Sequence, residues 1–164
     1  MAGAVAVCAE QAPEYEVKAE FLEHFTRFID WPAGDPPPRF VIGVVGRSPF
    51  NGFLERIAAK RKIKGRAIEI RYVNDVAQID ACQLLFIANS ERERLKKILT
   101  RAQSKAILTV ADSDGFATAG VMINFYTSGD TIRFEINETA VERSGLKMSS
   151  KLLKLARLVE PEGR

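Results

Sequence analysis

Three short runs, Phe40 to Val45, Leu84 to Ala88 and Ala106 to Val110, are apolar throughout apart from Gly43 and Thr109. A continuous apolar run of this length, rich in Val and Ile, suits a strand buried on both faces, which requires helices above and below its sheet. The intervening stretches have the right period. Glu14 to Asp30 places Val17, Phe21, Leu22, Phe25, Phe28 and Ile29 on one wide helical face, and Trp31-Pro32 closes it because the residue before proline leaves the α region. Asp35 to Pro38 is a stiff proline connector. Pro49 to Lys60 is predicted as a helix and Ala67 to Val73 as an alternating strand, with Ile68, Ile70 and Tyr72 on one side. A short helical piece spans Val76 to Ile79, and a charged amphipathic helix spans Glu91 to Ala102.

After Asp114 the pattern changes. Val121 to Tyr126 and Thr131 to Ile136 read as strands joined by the turn T-S-G-D. Asn137 is placed to cap a helix running to about Ser144, where Gly145 stops it. Ser149 opens a last helix with Leu152, Leu153, Leu155, Ala156 and Val159 as its apolar face. The expected fold is a single α/β layered domain. It has a mainly parallel sheet flanked by helices, then a C-terminal antiparallel hairpin and two helices.

With 164 residues and 46% apolar content, the chain can bury one full core. Its formal charge of +3 comes from 24 basic and 21 acidic residues, too balanced to imply nucleic-acid binding. No apolar run approaches the roughly 18 residues a membrane span needs. The single histidine, His24, is a poor start for a triad or a zinc site, and Cys8 and Cys82 lack metal-ligand spacing. Residues 1–12, M-A-G-A-V-A-V-C-A-E-Q-A, read as a residual signal-like segment or a disordered N-terminus, with small residues that suit signal cleavage around Ala6 to Ala9. The domain proper is residues 13–164.

The stretch T-V-A-D-S-D-G-F, Thr109 to Phe116, carries Asp-x-Asp-Gly at the end of a buried strand. A calcium loop counted from Asp112 needs an oxygen ligand at its fifth position and glutamate at its twelfth, but these are Phe116 and Ile123. A structural turn fits better, on the sheet edge where α/β domains form ligand crevices. Metal-assisted phosphoryl transfer at Asp112 and Asp114 is the enzymatic alternative. Gly43 to Ser48 matches neither a dinucleotide fingerprint nor a phosphate loop. Lys60 to Arg66 holds five cations in seven residues and reads as a solvated turn before it reads as a nucleic-acid patch. Ser149-Ser150-Lys151 fits a helix cap better than a serine–lysine relay, since helical neighbours are three or four residues apart. No catalytic set, cofactor site or metal site assembles from these residues.

Taken in order, several motifs resemble the YfiR-like proteins. They are the E-Y-E-V-K-A-E-F-L helix ending in W-P at Pro32, F-V-I-G-V-V-G from Phe40, I-K-G-R from Ile63 and C-Q-L-L-F-I-A from Cys82. L-T-V-A-D-S-D-G-F-A from Leu108, G-V-M-I-N-F, R-F-E-I-N and G-L-K-M-S-S-K-L-L-K-L-A complete the series. The resemblance implies a non-enzymatic periplasmic α/β regulator that binds and restrains an inner-membrane diguanylate cyclase through its periplasmic domain. Cyclic di-GMP signalling and biofilm formation fall in consequence. It also implies a homodimer, and it leaves a small-ligand sensor module serving a membrane sensor kinase as the alternative. The expected contact surface is Asn137 to Lys151 with the Asp112 to Phe116 loop, and its candidate residues are Asp112, Ser113, Asp114, Phe116, Glu142, Lys147, Met148, Ser149 and Lys151.

Overall fold

The computed structural model describes residues 2–32, 34 and 36–161, with side chains from residue 13 onward. Cys8, its pairing with Cys82, and the leader-like character of residues 1–12 lie outside the described side chains. Helix α1 spans Ala2–Thr26, followed by strand β1 at Ile29–Asp30 and β2 at Arg39–Val45. Helix α2 is Phe53–Lys60, β3 is Lys62–Ile63 and β4 is Arg66–Val73. A 3-10 turn at Val76–Ala81 leads to β5, Leu84–Ile87, and a second at Asn89–Arg94 leads to α3, Leu95–Ser104. Then come β6 at Leu108–Ala111, the single turn α4 at Phe116–Ala119, β7 at Ile123–Ser128 and β8 at Thr131–Ile136. The chain closes with α5 at Glu138–Ser144, β9 at Lys147–Met148, α6 at Ser150–Leu153 and β10 at Arg157–Leu158.

One eight-stranded sheet runs β10-β8-β7-β6-β5-β2-β4-β3, and β1 pairs with β9 in a separate two-stranded ribbon. Strands β4, β2, β5, β6 and β7 are parallel, while β8 returns antiparallel on β7 and β3 antiparallel on β4. The mainly parallel α/β sheet with its later hairpin is therefore as expected. From β2 the chain first moves outward to β4 and then to the other side through β5, β6 and β7. This is a doubly wound order whose switch point lies between β2 and β5. Core side chains form two layers, one on the α1 and α2 side and one beneath α3.

Gly43 shows why the second layer is tight. A Cβ there would meet Cys82 Sγ inside contact distance and lie 3.1 Å from Leu85 Cδ1. Gly43→Ala is expected to cost about 1–3 kcal/mol through overpacking. Cys82→Ala in the same chain should recover most of that loss, as read by urea denaturation. An undiminished loss in the double variant would place the strain elsewhere. The Cys82 thiol itself is buried, and burial pushes its pKa up to about 11, the setting of an inert structural cysteine.

Several boundaries differ from the periodicity, each for a local reason. The first helix stops at Thr26 instead of Asp30. Ile29 and Asp30 pair with Met148 and Lys147, and the Phe28 carbonyl accepts from Ser149 N–H at 2.8 Å. Asn51 and Gly52 adopt left-handed φ values of 48° and 85°, so α2 starts at Phe53 and not at Pro49. Ala106, at φ 54°, likewise delays β6 to Leu108. The largest correction is the last helix, which ends at Leu153. Leu155 and Leu158 are 72% and 56% exposed, and Arg157–Leu158 joins the sheet edge beside β8.

The basic run becomes the β3–β4 hairpin, its turn made by Lys64 and Gly65 at positive φ. Arg61 reaches α1, where its Nη1 donates to Glu23 Oε1 at 2.9 Å, and Arg27 Nη2 meets the same oxygen at 2.7 Å. Burial alone would raise the Glu23 pKa, but the hydrogen bonds from Arg27 and Arg61 outweigh it and hold the carboxyl below its usual range. A carboxyl depressed in the folded state contributes stability above its unfolded pKa, and that contribution is lost as pH falls through the folded value. Stability should therefore decline below about pH 4.3, and Glu23→Gln should flatten that part of a denaturation-versus-pH profile. An unchanged slope would show that other carboxyls carry the acid sensitivity.

Candidate functional site

Strand β6 delivers the Asp-x-Asp-Gly segment to the carboxyl edge of the sheet. Beyond Ala111, Phe116 N–H closes a turn on the Ser113 carbonyl at 3.2 Å, and Gly115 at φ 81° starts α4. This geometry is the turn that the Asp and Gly residues suggested.

The two aspartates diverge. Asp112 faces α1, where its Oδ2 accepts from Tyr15 Oη at 2.8 Å and from Lys18 Nζ at 3.1 Å. Lys18 is only 4% exposed, also reaches Glu14 Oε2 at 2.7 Å, and lies 4.6 Å from the Tyr15 ring centre. Desolvation, then the neighbouring Asp112 charge and hydrogen bond, push the Tyr15 pKa upward, so its phenol stays protonated and donates. Asp114 is exposed, and its backbone carbonyl accepts from Arg92 Nη1 at 3.2 Å. Phe116 is fully buried, with the Arg92 guanidinium 4.7 Å above its ring.

Ser113 is held by its backbone. Its N–H donates to Asn124 Oδ1 at 3.1 Å and its carbonyl accepts from Asn124 Nδ2 at 2.9 Å, while its own buried hydroxyl has no partner among the described residues. Asn124 also donates to Glu135 Oε1 at 3.1 Å, and Glu135 is paired with Arg157. These residues face one another across the strands: Asn124 opposite Glu135 on β7–β8, and Arg157 opposite Glu135 on β10–β8. A polar row thus crosses three strands, and it explains why Arg157 joins the sheet. The Arg157 guanidinium also lies 4.0 Å from the Tyr126 ring centre.

The C-terminal candidates form a second surface. Asn137 caps α5 by accepting from Ala140 N–H at 3.0 Å, and its Nδ2 donates to Ala117 O at 2.8 Å, which ties α5 to α4. Glu142, Lys147 and Lys151 are exposed, whereas Met148 and Ser149 are half-buried where β9 meets β1 and α6 begins. These five follow one another along the segment from α5 to α6, and among the described residues no hydrogen bond or ion pair joins them to Asp112. The head of α5 nevertheless lies near the loop, since Val110, Ile123 and Ile136 are in register across β6, β7 and β8 and Asn137 bonds Ala117 of α4.

Lys18, Tyr15, Asn124, Glu135 and Arg157 are the participants that periodicity did not single out. Their signals were a lysine on the buried stripe of α1 and an asparagine within an apolar strand. Among the described residues, no helix is long and apolar enough to cross a membrane, and no cluster of three His, Cys, Asp or Glu side chains is placed to hold a metal.

A family profile described as YfiR/HmsC-like matches residues 15–157. Among curated proteins none matches the sequence. Three solved structures share the fold at 12% identity. A conserved domain protein from Vibrio cholerae aligns with a TM-score of 0.61 over 88% of this chain and 59% of its own. A ligand-free, open substrate-binding protein with adhesive properties from Clostridium difficile gives 0.57 over 87% and 58%. An ABC domain in complex with L-Trp from Streptococcus pneumonia gives 0.54 over 73% and 56%. The chain therefore spans less than two thirds of each of these proteins.

Proposed function

Because the chain belongs to the YfiR/HmsC-like family, we propose that it is a non-catalytic periplasmic regulator. It binds the periplasmic domain of an inner-membrane diguanylate cyclase and restrains that enzyme, lowering cyclic di-GMP and biofilm formation. The observation that carries this reading is the extent of the match, which runs from α1 to the first residue of β10. The chemistry of the site supports it. Asp112, Lys18, Glu23 and Glu135 are engaged in ion pairs that hold elements together, whereas Glu142, Lys147 and Lys151 lie on the surface. The proposed contact surface is accordingly the segment from Asn137 to Lys151, with Asp114 and its loop as a second contact.

The test is co-expression with a membrane diguanylate cyclase encoded beside it, with cyclic di-GMP as the readout. A fall that Glu142→Lys with Lys147→Glu abolishes, without loss of folded protein, supports both the partner and the surface. No fall, with both proteins correctly located, sinks the restraint of that cyclase. The second reading, a small-ligand sensor serving a membrane kinase, draws on the substrate-binding protein from Clostridium difficile that shares the fold.

A further inference from the structure

On the α3 side of the molecule, α3, α4 and α5 border a half-open cavity of about 190 Å³. By the liquid volume of water, about 30 Å³ each, that is room for about six waters or one small metabolite. Lys96 and Thr100 of α3, Thr109 of β6, Thr118 of α4, and Asn137 and Arg143 around α5 supply most of its polar lining. Among the described residues, no acidic side chain lines the cavity. Nor does Lys96 or Arg143 form an ion pair with any described residue.

Two of the polar residues are almost wholly buried and keep unused donor capacity. Thr109 is 1% exposed, and its hydroxyl accepts from Met122 N–H at 3.0 Å without a described acceptor for its own hydrogen. Asn137 is 1% exposed, and among the described residues its amide group donates only to Ala117 O. Buried donors without acceptors are costly, and the solvent-exposed cations Lys96 on α3 and Arg143 on α5 add a positive potential that no described acidic lining residue neutralises. Both deficits are met by one kind of ligand, a compact group with several acceptor oxygens and negative charge.

We propose that this cavity binds a small anion bearing a phosphate or carboxylate group. Lys96 of α3 and Arg143 of α5 neutralise its charge from the solvent side, and the buried Thr109 and Asn137 donate to its oxygens. The site goes beyond the regulatory role, and its test uses purified protein with no cyclase present, so neither result bears on the other.

Thermal unfolding is followed with inorganic phosphate, succinate and chloride at matched ionic strength. Phosphate or succinate is expected to raise Tm saturably, by roughly 3–5 °C for each tenfold excess over Kd. A response to phosphate alone identifies a phosphate ligand, and one to succinate alone a carboxylate. Lys96→Ala with Arg143→Ala should weaken binding about tenfold or more, whereas Lys97→Ala, on the same helix but outside the cavity, should not. Amide NMR shifts on titration should cluster at Thr109, Thr139 and α3. Equal effects of all three anions, or a response that the double variant leaves intact, would overturn the proposal.

Discussion

Lys18→Met is expected to destabilise the protein by about 3–5 kcal/mol, the cost of removing one partner from a buried ion pair. Lys18 is 4% exposed and its ammonium sits 3.1 Å from Asp112 Oδ2, so the substitution strands a carboxylate whose side chain is only 9% exposed. The Tyr15 hydroxyl would remain, but a neutral donor replaces little of a lost charge. The companion experiment is Lys18→Met with Asp112→Asn, which removes the stranded charge as well. The double variant should be more stable than Lys18→Met alone, because residues in one network do not act additively. Urea denaturation of the four chains gives the coupling directly. A loss below about 1 kcal/mol for Lys18→Met would put this pair in the class of solvent-exposed salt bridges and would contradict its burial.

That network also shows how far the sequence could be read. Apolar runs revealed β2, β5 and β6, since a strand buried on both faces has few other ways to be written. The caps of α5 were equally plain: Asn137 and Gly145 stand where the structure uses them. What stayed hidden depended on partners distant in the chain. Phe28 and Ile29 continue the helical period of α1, and only the pairing of β1 with β9, more than a hundred residues later, takes them out of it. Leu155 fits a helical face equally well, yet the open edge of β8 and the Glu135 carboxylate draw the chain into β10 before a second turn forms. The candidate site divides in the same way. Asp-x-Asp-Gly was legible as a turn, but nothing local said that Asp112 would face Lys18, 94 positions earlier, while Asp114 faced solvent. Glu142, Lys147 and Lys151 were legible as surface because no apolar period claims them.

Phe25→Ala should rank beside Lys18→Met, with a loss of about 3–5 kcal/mol for a large buried ring. Phe25 is 1% exposed and lies within three aromatic contacts, with centroids 5.1 Å from Phe134, 5.7 Å from Phe125 and 5.7 Å from Phe21. Phe125 and Phe134 are cross-strand partners on β7 and β8, so Phe25 fastens α1 to the hairpin, with Phe21 at 5.7 Å and 5.9 Å from the same two rings on the more exposed side. Truncation removes transfer energy and also leaves a space that the paired strands cannot close, because their ladder fixes the spacing of the two rings. The neighbouring Phe21 provides the control. It is only half-buried, on the rim of an apolar groove shared with Val17, Phe28 and Leu155, so Phe21→Ala should cost about 1–2 kcal/mol. In thermal unfolding the Phe25 variant should lose roughly 6–20 °C of Tm, and the Phe21 variant clearly less. Combining the two should cost less than their sum, since the first truncation has already removed their mutual contact. Equal losses for Phe21→Ala and Phe25→Ala would mean that the hairpin is held by the groove as a whole and not by the one ring at its base.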